Sequence, residues 1–183
     1  MDNQKDLVKY QLEQWTNDMT ALELPDWKEL PNLELYMDQV VLLLTRYLSP
    51  LAKGEDEKFI TASIVNNYVR LKIMPPPVKK KYARRHLACL IMICVLKQSL
   101  SISCIQRLLP ADWDEETVRQ AYTTFVSQMS RVSGSLIQQV NSTENLLLNS
   151  EDCNPAISSA IVAYLAKSLT EYLLQPLPDS FNT

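Results

Sequence analysis

The stretch that decides the fold runs from Thr61 to Tyr82, T-A-S-I-V-N-N-Y-V-R-L-K-I-M-P-P-P-V-K-K-K-Y. Thr61 precedes Ile64, Val65, Tyr68 and Val69, which recur at helical spacing, so its hydroxyl is placed to cap a short helix. That helix must stop before Met74-Pro75-Pro76-Pro77, because proline lacks an amide hydrogen and disfavours helix in the residue before it. Val78 to Tyr82 then reads as an extended or hairpin-like excursion carrying Lys79, Lys80 and Lys81 in a row.

The same stretch lies in an unusual field. The 183 residues hold 18 Lys+Arg and 21 Asp+Glu, a net charge of −3. From Phe59 to Ala111 there is no acidic residue, while nine basic ones occur, seven of them between Arg70 and Arg85. This window therefore carries +9, and the remainder, with nine basic against 21 acidic residues, carries −12. A basic segment inside an acidic chain is a local anion-binding surface, and nucleic-acid phosphate is the commonest such partner.

On either side the text is helical, with apolar residues at spacings of three and four. Val8, Leu12, Trp15, Met19 and Leu22 predict a first helix, followed by a connector marked by Pro25 and Pro31 and anchored by Trp27 and Leu30. A second helix should run from Leu33 or Leu35 to Leu48 and end at Pro50, with a loop over Ala52 to Lys58. Beyond the lysines, helices are expected from Arg84 to Gln98 and from Ser101 or Ser103 to Leu109. Asp112 and Glu115 have the spacing of a capping box. After them Val118, Tyr122, Phe125, Met129, Val132 and Leu136 keep a 4,3,4,3,4 spacing, a heptad seam suited to a homodimer. Gly134 and the polar text Asn141 to Asp152 should fray or turn that helix, and a last one should run from Pro155 to Leu174. The expected organisation is an N-terminal helix and connector over 1–34, a basic module over 35–110, a helical dimerisation region over 111–175 and a disordered tail over 176–183.

Composition excludes several chemistries. Gly54 and Gly134 are the only glycines, too far apart for a phosphate-cradling turn. His86 is the only histidine, and Cys89, Cys94, Cys104 and Cys153 form no CxxC pair, so neither a zinc site nor a redox pair is expected. Acidic pairs such as Asp114 and Glu116 sit at a helix start with no nucleophile beside them, so the chain does not read as an enzyme. The N-terminus lacks a signal-peptide pattern, and the longest apolar run, Leu87 to Leu96, is half of the roughly 20 residues a membrane crossing needs. A cytoplasmic protein without cofactor or metal is the expectation, free of membrane attachment.

The order of elements in the basic window resembles the winged helix-turn-helix of the MerR group of transcription regulators. In that group a recognition helix S-P-R-T-L-R-Y-Y-E leads into G-L-L-x-P, a small wing containing Y-R-x-Y, a helix and a G-F-S-L-x-x-I signature. Thr61-Ala62-Ser63-Ile64-Val65-Asn66-Asn67-Tyr68-Val69 resembles the recognition helix, Ile73-Met74-Pro75-Pro76-Pro77 the leucine-proline step, and Lys79-Lys80-Lys81-Tyr82 the wing. Ser99 to Ile105 stands in place of the last signature. Asn66 and Asn67 replace an Arg and an aromatic, Lys72 replaces the Gly, and Ser49 to Ile60 replaces a tight turn. The string from Asn66 to Tyr82 is also similar to a bacterial family known only as a domain of unknown function.

The resemblance implies an all-α fold, a MerR-like module with N-terminal and C-terminal helical extensions. It implies a sequence-specific regulator that binds double-stranded DNA as a homodimer. DNA contact would fall to Thr61, Ser63, Asn66, Asn67, Tyr68, Arg70, Lys72, Lys79, Lys80, Lys81, Tyr82, Arg84 and Arg85. A small-molecule effector, if one exists, would bind the acidic helical remainder. In metal-sensing members a thiol stands near the position of Cys153. The competing reading is a helical protein-interaction module whose basic loop docks an acidic partner; attachment to anionic lipid through the same lysines ranks below both.

Overall fold

A computed structural model describes residues 2–51, 60–149 and 154–175, and among these there are seven α-helices and no strand. The helices are α1 (Asp2–Thr20), α2 (Met37–Tyr47), α3 (Ala62–Arg70), α4 (Arg84–Leu96), α5 (Ile102–Leu108), α6 (Glu115–Asn149) and α7 (Pro155–Leu173), with a 3-10 turn at Ser49–Leu51. The expected loop over Ala52 to Lys58, Cys153 and the tail from 176 lie outside the described residues.

The apolar run Leu87 to Leu96 is the centre of the molecule. His86 to Cys94 are all buried, so α4 is covered on every side, which is why its sequence is apolar all round. Helices α2 and α6 pack on α4, α3 packs on α2, and α1 lies along α6. Val40, Leu44, Val65, Ile73, Ile105 and Val118 complete the core around it. Among the described residues no helix is long and apolar enough to cross a membrane.

Local chemistry sets the ends of the short helices. Thr61 Oγ1 accepts from the Ile64 amide at 3.2 Å, capping α3. At its other end the Ile73 amide donates to the Tyr68 carbonyl (3.2 Å) and the Lys72 amide to that of Val69 (3.0 Å). This is a Schellman closure with Lys72 in the left-handed region, φ 55°, where glycine is the usual residue. Ser101 caps α5 by accepting from the Cys104 amide at 3.3 Å.

The proline run leads into a two-residue hairpin. Val78 and Lys81 exchange both backbone hydrogen bonds, at 3.1 and 2.9 Å, around Lys79 and Lys80. Tyr82 pairs in turn with Leu35, just ahead of α2, through bonds of 2.9 and 2.8 Å. The start of the basic module is thus stitched to its hairpin across 47 residues of chain.

Three expectations are corrected. The side chain capping α6 is Asp114, whose Oδ1 accepts from the Thr117 amide at 3.0 Å, rather than Asp112. Nor does α6 turn at Gly134; it continues to Asn149, because a glycine on an exposed helix face meets nothing within 4 Å and only lowers helix propensity. The heptad seam does not stay on the surface. Val118 and Tyr122 are fully buried in the chain's own core and Phe125 and Met129 pack against it, leaving only Val132 and Leu136 exposed. The spacing is that of a helix packed on helices of its own chain, since intramolecular and intermolecular seams obey the same periodicity.

Candidate nucleic-acid interface

The basic window separates into residues that hold the fold and residues left to solvent. On α3, Val65 and Tyr68 point into the core, so Ser63, Asn66 and Arg70, spaced three and four apart, share the exposed face. Arg70 Nη2 donates to Asn67 Oδ1 at 2.7 Å, one turn back, and Thr61 is engaged as the cap. Lys72 follows at the helix end, fully outside the core, and the Leu71 carbonyl beside it accepts from Gln106 Nε2 at 3.0 Å, tying α5 to α3.

At the hairpin tip Lys79 and Lys80 are exposed, with φ of 50° and 63°. Positive φ at both central residues is the requirement of a type I′ turn, for which Asn-Gly is the favoured pair. Neither lysine has an acidic partner among the described residues. Lys81 does: its Nζ lies 3.1 Å from Glu34 and 5.9 Å from the centre of the Tyr36 ring, and the Glu34 hydrogen bond raises its pKa.

Four other candidates are spent on structure. Tyr68 and Tyr82 are buried, and burial pushes the Tyr68 phenol up to about 12. Arg84 lies over the Trp27 ring at 5.7 Å, and Arg85 Nη1 donates to the Trp113 carbonyl at 3.0 Å. Two cations in the first turn of α4 oppose the helix dipole, and these contacts offset that cost. Trp27, Glu34 and Trp113, absent from the sequence-based set, are thus the groups that fix the basic residues. Trp27 reads there as an anchor of the connector, and nothing local to Glu34 announces a partner 47 residues away.

His86 locks the hairpin's approach. Its Nδ1 accepts from the Ala83 amide at 2.9 Å, so Nε2 carries the proton and donates to the Pro76 carbonyl at 3.2 Å. Burial depresses its pKa, and Arg85 adds to the depression against the two hydrogen bonds. A depressed folded pKa means that the unfolded chain binds more protons below about 6.5, so stability is complete above that value and falls as pH drops. Because His86 is the only histidine, the loss that sets in as pH falls below about 6.5 should be its own. Thermal unfolding followed across that range should show a slope in the wild type and none in His86→Gln; a flat wild-type profile refutes it.

The same burial pushes the Cys89 and Cys94 thiols up to about 12. Among the described residues no group of three potential metal ligands occurs. A family model described as a domain of unknown function (DUF1836) matches residues 25–125. At its first residue, Pro25, the carbonyl accepts from the Tyr122 hydroxyl at 2.7 Å, which closes the connector onto α6. No curated protein and no solved structure matches the chain.

Proposed function

Since the chain belongs to the DUF1836 family, whose match encloses the whole basic window, we propose that this domain is a winged helix-turn-helix module that binds double-stranded DNA and regulates transcription. Helix α3 is the recognition helix, the hairpin at Val78 to Lys81 the wing, and α2 the supporting helix. Lys72, Lys79 and Lys80 take phosphates, which position the module, while Ser63 and Asn66 face the base edges.

One observation carries this reading. Lys79 and Lys80 occupy left-handed turn positions that cost a residue with a side chain about 1 kcal/mol each relative to glycine. They do so at an exposed tip without acidic neighbours among the described residues, held by two pairs of backbone hydrogen bonds and the His86 contact to Pro76. A chain that keeps like charges side by side in a strained turn gains something from their position, and a phosphate backbone supplies it.

The test is a fluorescence anisotropy titration of the full chain with labelled duplex DNA at several salt concentrations. Three phosphate-contacting lysines give a slope of log K against log salt of about −3. No binding at low salt, or affinity independent of salt, refutes the proposal.

A further inference from the structure

Among the described residues, helix α7 has no buried residue, and none of the packed helix pairs includes it. Yet eight large apolar side chains on it stand 54–72% exposed. At 3.6 residues per turn they fall within about half of the helix circumference, with Ile161, Leu165 and Tyr172 at the middle of the stripe. The other half is Ala, Ser and Thr with Lys167 and Glu171, whose charged atoms pair at 3.9 Å. A lone surface helix of this kind exposes a patch larger than monomeric proteins ordinarily tolerate.

We infer that this stripe is where two copies of the chain pair, α7 against α7. Three properties select a second copy over other occupants. The helix carries a single lysine, neutralised within its own turn, so it lacks the basic face that draws an amphipathic helix onto anionic lipid. The same neutrality leaves no charge pattern for an acidic or basic protein to complement. Its area also fits: eight such side chains at roughly 100 Å² each present about 800 Å² per copy, the share that each partner contributes to a standard stable interface. A two-fold axis lets one face satisfy itself.

The inference stands apart from DNA binding and is tested without nucleic acid. Sedimentation equilibrium of the full chain at about 10 μM should give twice the 21.0 kDa monomer mass. Ile161→Glu with Leu165→Glu, in the middle of the stripe, should give the monomer mass while retaining the cooperative unfolding of the core. Ala163→Glu, on the small-residue side, should leave the dimer intact and so shows that the face, and not the helix as such, is responsible. A monomeric wild type, a double variant that remains dimeric, monomers from all three substitutions alike, or wild-type monomer that sediments with phosphatidylcholine–phosphatidylglycerol vesicles would each overturn it.

Discussion

Lys79→Glu with Lys80→Glu is expected to weaken duplex DNA binding by more than about 100-fold near 0.1 M salt and to flatten the salt slope by about two. The two lysines sit together at the hairpin tip, so the substitution removes two phosphate contacts and places two negative charges against the backbone. The turn should survive, since its backbone pairing between Val78 and Lys81 and the Leu35–Tyr82 pairing behind it involve no lysine side chain. Lys81 is better left intact, because its partner is Glu34 and reversing it would disturb the connector as well. The decisive companion is Lys79→Asn with Lys80→Gly. Asn-Gly relieves the left-handed strain, so this variant should be more stable by about 1–2 kcal/mol while binding DNA at least about tenfold more weakly. Denaturant midpoints and anisotropy, measured on the same samples, read the two effects separately. A variant that gains stability and keeps full affinity would remove the wing from the interface.

Tyr122→Ala should cost about 3–5 kcal/mol, the largest stability loss from a single side chain considered for this fold. Tyr122 is fully buried, its ring lies 6.3 Å from that of Trp27, and its hydroxyl meets the Pro25 carbonyl across 97 residues. Truncation opens a cavity and releases the connector that carries Glu34 and Leu35, the two groups bonded to the hairpin. DNA affinity should therefore fall together with stability. Tyr122→Phe keeps the ring and leaves one buried carbonyl unmet, so about 1–2 kcal/mol is expected. Urea unfolding followed by tryptophan fluorescence measures both. If Tyr122 instead faced a second copy, the loss would depend on protein concentration; a loss independent of dilution places it in the core of one chain.

The residues around α3 show what can be read without coordinates. Thr61 as cap, the stop ahead of the prolines and the hairpin at the lysines follow from hydrogen-bond stoichiometry and restricted backbone angles, which act within a few residues. The left-handed position of Lys72 was marked only by its standing where the MerR pattern has glycine. By contrast, Asp112 and Asp114 are equally good caps in sequence, and which one faces the first free amides depends on how Trp113 packs and on its carbonyl bonding to Arg85.

Periodicity was the least decisive signal. The stripe from Val118 to Leu136 and the stripe from Ile157 to Tyr172 both announce an apolar helix face, and the first four positions of the more regular one proved to pack in or against the core of their own chain. Of the seven basic residues between Arg70 and Arg85, only the side chains of Lys72, Lys79 and Lys80 are left without a hydrogen-bond, ion-pair or ring partner among the described residues.

The sequence by itself determined the helical class, the element order, the Thr61 cap and the turn that follows α3, and the concentration of positive charge, because each rests on forces acting within one or two turns of chain. Tertiary structure alone decided which basic residues are free and which apolar stripe is spent. Those outcomes turn on pairings of Glu34 with Lys81, Trp27 with Arg84 and Pro25 with Tyr122, which join residues 47 to 97 apart, and a charge or apolar residue looks the same in sequence whether or not its partner has arrived.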